Sequence, residues 1–239
     1  MRYPIGVQTF EEIINGEYVY VDKTDLVYNL ARGHICFLSR PRRFGKSLLI
    51  STLDAYFSGK KELFKGLRID ELEKEWVKYP VFRIDFSGGK YKEPDGLQQK
   101  LEECLAAWEQ MYGKDEIYKT LSGRFKFVLG EAEKQTGHKA VVLIDEYDKP
   151  LLDVIGTETE EKNRDTLKAF YETFKEADAH LRFVLLTGVT KFSQVSVFSG
   201  FNQPKDISMD RRYDAICGIT EDELYSYFAE PVKELADIM

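Results

Sequence analysis

The sequence predicts an α/β protein, a mostly parallel central sheet with helices on both faces. Three observations predict it. Ile35–Leu38 and Ala140–Ile144 are continuous apolar runs, as expected of strands buried on both faces. Segments with apolar residues at helical spacing alternate with such runs along the chain, the pattern of an α/β layer structure. Both runs end in residues suited to phosphate or cation chemistry, and α/β sheets bind ligands at the carboxyl ends of their strands.

The elements follow in order. Residues 1–34 read as a helical lead-in that packs on the core, and residues 35–239 as the core itself. In the lead-in, Phe10, Ile13 and Ile14 keep helical spacing and Asn15-Gly16 ends the run. Tyr18–Val21 is a short β-like segment. Asp22 or Thr24 caps a helix carrying Leu26, Val27, Leu30 and Ala31. Such a lead-in either docks on the core or also lies beside a bound base.

The first core strand is the run at 35–38. Leu48, Leu49, Thr52, Leu53, Tyr56 and Phe57 mark the next helix, which Ser58-Gly59 stops. Val81–Phe86 alternates in part and reads as strand two, with Asp85 as a strand-end carboxylate. Leu97, Leu101, Cys104, Leu105 and Trp108 form one helical stripe, and Phe125, Phe127, Val128 and Ala132 another. Strand three is the run at 140–145. Leu167, Phe170, Tyr171 and Phe174 place a helix at about 160–178, and Arg182–Thr187 is strand four. Asp214–Gly218 is expected as a short fifth strand. Thr220-Glu221-Asp222-Glu223 resembles a capping box opening a last helix at 221–235.

The chemistry concentrates in two places. Ser39-Arg40-Pro41-Arg42-Arg43-Phe44-Gly45-Lys46-Ser47 lies between the first strand and the helix that begins near Leu48. Gly45-Lys46-Ser47 is the end of a phosphate-binding loop. In such a loop backbone N–H groups wrap phosphate oxygens, the Lys neutralises the outer phosphates and the hydroxyl ligates Mg²⁺. The following helix adds its positive end. The generic motif has a glycine where this chain has Arg40, and Pro41 stiffens the turn instead. Arg40, Pro41, Arg42, Arg43, Phe44, Gly45, Lys46, Ser47 and Leu48 are the candidate nucleotide-binding residues.

The second place is the end of strand three, Asp145-Glu146. A carboxylate at the tip of a buried strand can hold the Mg²⁺ shell, here Asp145 together with Ser47. A second carboxylate beside it, Glu146, can take a proton from the attacking water. Together the motifs predict a P-loop NTPase built as a three-layer sandwich.

Three segments resemble the AAA-ATPase-like family of bacterial and archaeal proteins. They are Pro4-Ile5-Gly6 with Phe10 and Tyr20-Val21-Asp22-Lys23-Thr24, then Arg40–Leu48, then Leu143–Leu151. A fourth, weaker segment is Leu186–Ser193. Arg40 fits that family's own version of the loop. The resemblance implies ATP and Mg²⁺ as ligands and ATP hydrolysis as the activity. It also implies a polar residue at the tip of strand four that senses the outer phosphate: Thr187 first, with Thr190 and Ser193 as alternatives. An Arg or Lys should neutralise transition-state charge, in cis or from a neighbouring subunit. Arg212 is chosen, with Arg211 and Lys191 beside it. Members of this family often continue into a lid and a nuclease-like domain. The resemblance therefore implies an N-terminal fragment of a longer chain, with nucleic acid engaged only through a C-terminal domain outside these residues. Self-association stays open.

Two other readings stand beside hydrolysis. One is a nucleotide-gated interaction module with negligible turnover. The other is a small-molecule kinase, against which the adjacent Asp145-Glu146 pair favours water as the nucleophile.

Composition narrows the rest. With 34 basic and 41 acidic residues the net charge is −7, which argues against a surface that coats nucleic acid broadly. Three widely spaced cysteines form no metal or disulfide pattern and fit a reducing cytoplasm. No apolar run has the length of a membrane helix. His34, His138 and His180 are isolated, without metal-ligand spacing.

Overall fold

The computed structural model describes residues 2–191 and 204–238. A five-stranded sheet lies at its centre: β1 (Ile35–Ser39), β2 (Val81–Asp85), β3 (Ala140–Asp145), β4 (Leu181–Gly188) and β5 (Lys205–Asp206). The strand order is β2-β3-β4-β1-β5, and every pairing is parallel. β4 is therefore inserted between the strand that enters the phosphate loop and the strand that ends in Asp145.

Helices cover both faces because β1, β3 and β4 are apolar on both sides. Phe37, Phe82, Ile84, Val142, Ile144, Val184 and Leu186 point to one face. There they meet α5 (Gly96–Tyr112), α6 (Leu121–Thr136) and α8 (Glu158–Glu176) through Leu101, Leu105, Phe125, Phe170 and Phe174. The alternate residues Cys36, Leu38, Val141, Leu143, Phe183 and Leu185 point to the other. They pack on α2 (Thr24–Ala31) and α3 (Lys46–Phe57). All six residues of β3 are buried, as its unbroken apolar run requires. The short α7 (Lys149–Leu152) follows β3.

The lead-in docks on α3. Phe10 of α1 (Phe10–Asn15) is fully buried with Ala55, Phe64 and Ile69, and its backbone N–H donates to the Ser51 hydroxyl at 2.8 Å. Ile69 belongs to α4 (Arg68–Leu72), so the lead-in also closes the segment after α3. Tyr18–Val21 forms no strand. Tyr18 donates a backbone bond to Ile13 at 3.0 Å and Val19 one to Arg2 at 2.8 Å, and the segment is otherwise coil.

Two expectations fail after β4. The fifth strand is Lys205–Asp206, paired with Cys36 and Phe37, and 214–218 is a turn. Ile216 and Cys217 are buried, yet they pack against the α2–α3 face without joining the ladder. Two charged, exposed residues carry no strand-like pattern that a sequence reading could use. The final helix is also two helices, α9 (Glu221–Tyr227) and α10 (Ala229–Ile238), broken at Phe228. Pro231 explains the break: it has no N–H for the Tyr227 carbonyl, and its ring would collide with that turn. The capping box is present. The Thr220 hydroxyl accepts from the Glu223 amide, and the Glu223 carboxylate accepts from the Thr220 amide at 2.8 Å.

Candidate active site

The candidate phosphate-loop residues connect β1 to α3. Arg43 and Gly45 sit in the left-handed region, at φ 64° and 85°. The Arg40 amide donates to the Gly188 carbonyl at 3.1 Å, which ties the loop to the end of β4. Its guanidinium turns outward and donates to the carbonyls of Ser208 and Tyr213. Arg40 thus clamps the chain after β5 onto the loop through its side chain. Lys46 is buried, and its ammonium donates to the carbonyls of Arg40 and Pro41, both at 3.0 Å. Ser47 follows in the first turn of α3, half buried. Leu48 is half buried, and Arg42, Arg43 and Phe44 are exposed.

Across β4 lie the carboxylates. Asp145 is buried at the tip of β3. The Thr187 hydroxyl donates to its Oδ1 at 2.6 Å, and the Glu146 amide donates to the same oxygen at 3.1 Å. Thr187 in turn pairs in register with Leu38 of β1. The tip of β4 therefore links the carboxylate strand to the loop strand.

Glu146 is held at φ 54°, a left-handed conformation that costs a non-glycine residue about 1 kcal/mol or more. Burial pushes its carboxyl pKa up, the Asp145 charge pushes it further, and Lys46 opposes both. The Lys46 charge is thus felt at Glu146. A carboxylate with raised proton affinity is the better general base.

Asp148, three residues beyond Asp145, holds the neighbouring loop. It is buried, and its Oδ2 accepts from the amides of Val189 and Thr190 at 3.0 and 2.7 Å and from the Thr190 hydroxyl at 2.8 Å. Tyr147 donates its hydroxyl to the Thr190 carbonyl at 2.8 Å. The chain after β3 thus anchors the loop after β4. Gly188 permits the close approach: a Cβ there would lie 2.4 Å from the Tyr147 ring and 2.8 Å from Asp148 Oδ1. Among the strand-four candidates, Thr187 reaches Asp145 and Thr190 reaches Asp148. Ser193 lies outside the described residues.

Two of the three basic candidates are engaged elsewhere. The exposed Arg212 pairs with Asp210, with Nε 2.9 Å from Oδ1, and Arg211 lies in the same 3-10 turn. Lys191 pairs with Asp206 at 2.8 Å. In this conformation, these contacts link none of the three to Glu146 or Lys46.

Beside the loop lies a cavity of about 230 Å³. Its walls come from the lead-in (Tyr20, Lys23, Val27), the loop (Phe44, Gly45) and residues 216–219, with Phe228 at one side. Phe44 packs over Gly218, where a Cβ would lie 2.8 Å from its ring. Gly218 also has φ 82°, so a side chain there is excluded twice. The cavity went unseen in the sequence because its walls span residues 4 to 228.

A family model described as "Predicted AAA-ATPase" matches residues 4–198. The chain belongs to the AAA-ATPase-like family. The match contains most of the lead-in, the candidate phosphate loop, the β3 carboxylates and the tip of β4. This AAA-ATPase-like chain is also similar to a protein of Azotobacter chroococcum mcd 1 described as "Uncharacterized protein in vnfD 5'region". The two are 44% identical over 237 residues, covering 98% of this chain and 46% of the other. The chain thus spans about half the length of that relative. No solved structure matches it. Among the described residues of the AAA-ATPase-like chain, no helix is long and apolar enough to cross a membrane.

Two oxygen donors suit Mg²⁺. Both hydrogen bonds to Asp145 fall on Oδ1, which leaves Oδ2 without a hydrogen-bond partner among the described residues. Ser47 supplies a hydroxyl. Mg²⁺ is commonly held by one or two protein oxygens, with water and substrate phosphates completing its shell. The donor set fits that ion.

Proposed function

We propose that the chain binds Mg·ATP and hydrolyses it. One observation carries the reading. The 2.6 Å bond from Thr187 to Asp145, with Thr187 in register beside Leu38, supports it: the proposed phosphate loop and the strand-end carboxylate pair lie at the same carboxyl end of the sheet. The loop amides and Lys46 hold the outer phosphates, for which Lys46 leaves the carbonyls of Arg40 and Pro41. The apolar cavity beside the loop takes the nucleoside. Ser47 and Asp145 Oδ2 would hold Mg²⁺, which when bound neutralises phosphate charge. Glu146 accepts the proton of the attacking water, and Thr187 fixes the Asp145 carboxylate. Arg212 or Lys191 would have to leave its present acidic partner to reach the outer phosphate, and Arg211 is the alternative beside Arg212.

Burial pushes the Cys36 and Cys217 thiols up to about 11, so both are inert packing groups in a reducing cytoplasm. What a longer protein does with the ATP energy, including any nucleic-acid chemistry or self-association, is a further part of the proposal.

The test is binding of ATP by calorimetry to the wild type and to Lys46→Ala, with circular dichroism to confirm that the variant is folded. Loss of binding in a folded variant supports the reading. Unchanged affinity contradicts the phosphate-loop assignment. Binding by the wild type without phosphate release would favour the nucleotide-gated module.

A further inference from the structure

A second cavity, of about 490 Å³, lies at the amino-terminal end of the sheet, opposite the candidate active site. Separate segments bring residues to it. Tyr28 and Arg32 come from the last turn of α2 and its cap, and Tyr56 from the last turn of α3. Tyr79 precedes β2, and Arg182 is the second residue of β4.

Two guanidinium groups set the chemistry of this cavity. Each carries five N–H donors in a fixed fork. Arg32 Nη1 donates to the Tyr28 hydroxyl at 2.6 Å, and Arg182 Nη1 donates to the Gly33 carbonyl at 3.2 Å. The second bond holds Arg182 beside the residue that follows Arg32, so the fold brings both forks to one place. Arg32 Cζ lies 5.1 Å from the Tyr28 ring centroid, and Arg182 Cζ 6.0 Å from that of Tyr79. Contact with a ring face holds a guanidinium without using its N–H donors. Neither arginine forms an ion pair among the described residues. Arg182 is also half buried, so part of its hydration is already lost.

The neighbouring carboxylate is occupied. Glu73 lines the cavity, yet its Oε2 accepts from the Tyr56 hydroxyl at 2.5 Å and its Oε1 from the amides of Lys74 and Glu75, both at 2.8 Å. These bonds fix the turn after α4. Trp76 in that turn sits at φ 48°, a left-handed conformation unusual for so large a residue. Strain of this kind gathers at ligand sites. Arg32, Lys74 and Arg182 stand against Glu73 and Glu75, so the walls carry one net positive charge.

We propose that this cavity is a second anion site, separate from the phosphate loop, and that it takes a small phosphate monoester. Two forks on separate elements suit a group with three terminal oxygens, whereas one guanidinium already satisfies a carboxylate. Leu72 and Val77 offer an apolar wall to the organic part of the ester. The site does not depend on the hydrolysis reading.

The experiment is a titration of the isotope-labelled chain with phenyl phosphate, followed by NMR. The Nε–Hε signals of Arg32 and Arg182 report the cavity, and the Gly45 amide reports the phosphate loop. Both arginine signals are expected to shift along one curve that saturates below about 10 mM. Benzoate should bind at least about tenfold more weakly, because it lacks the third oxygen and its bonds to charged donors. Arg32→Gln should weaken binding of phenyl phosphate, read at Arg182, by at least about tenfold. No saturation at the arginines, or saturation at one of them alone, overturns the proposal. So does benzoate binding as tight as that of phenyl phosphate, or unchanged affinity in a folded Arg32→Gln protein. A shift confined to Gly45 places the phosphate at the loop and also overturns it. The wild-type titrations need no variant, so the proposal stays testable if Arg32→Gln does not fold.

Discussion

The hydroxyl of Thr187 and the carboxylate of Asp145 lie 2.6 Å apart across neighbouring strand tips, and both side chains are buried. This bond leaves Asp145 one oxygen for a cation. It also passes any shift at the tip of β4 directly to the carboxylate strand. Thr187→Val removes the donor at nearly constant volume. The expected cost is about 1–3 kcal/mol of stability, because a buried charged acceptor loses a partner. Urea unfolding measures the loss, and phosphate release should fall with it. A variant as stable and as active as the wild type would make the contact incidental.

Glu146→Gln should slow hydrolysis about a hundredfold or more, as expected when a general base is removed. It should also change stability with pH in a defined direction. The folded-state pKa of Glu146 is raised, first by burial and then by Asp145. Ionisation of Glu146 therefore costs the folded state. Its contribution is fully present below the ordinary carboxylate pKa and is lost as pH rises through the folded value. Gln escapes that loss. The melting temperature of Glu146→Gln should match the wild type in acid and exceed it at neutral pH. The opposite trend would show that the environment of Glu146 has been misread.

Glu146→Gly separates strain from chemistry. Glycine adopts φ 54° freely, so relief of the left-handed conformation should contribute about 1 kcal/mol. Loss of the carboxylate should abolish turnover in the same protein. Chemical denaturation and phosphate release check both halves. A destabilised variant would mean that the side chain's own contacts outweigh the strain.

Gly188→Ala places a methyl 2.4 Å from the Tyr147 ring. Overpacking of this kind costs about 1–3 kcal/mol. It should displace Asp148 from the amides of Val189 and Thr190. Faster hydrogen exchange at those two amides, with protection inside β3 retained, would locate the damage. Unchanged exchange would contradict the anchoring role of Asp148.

The sheet and its helices were readable because β1, β3 and β4 are apolar on both faces and the helices keep strong stripes. The places of Gly45-Lys46-Ser47 and Asp145-Glu146 after strand ends were readable for the same reason, since each segment follows such a strand. β5 was not, because Lys205 and Asp206 pair with β1 through backbone groups alone. The split of the last helix was encoded in Pro231 but overshadowed by the capping box ten residues earlier. Asp148 carried no sign of its partners in sequence, and only the fold brings Val189 and Thr190 to it. Arg40 resembled one more phosphate ligand, and only the fold brings Ser208 and Tyr213 within its reach. Lys23 and Glu223 pair at 2.7 Å although two hundred residues apart, a separation at which no local pattern reports contact.

The most direct measurement is Mg²⁺-dependent phosphate release from ATP by the purified chain, set beside the same assay on Glu146→Gln and nucleotide binding by both. The account predicts release by the wild type, loss of about a hundredfold or more in Glu146→Gln, and equal nucleotide affinity in the two proteins. Release at the wild-type rate from Glu146→Gln, or none from a wild type that binds ATP, would contradict it.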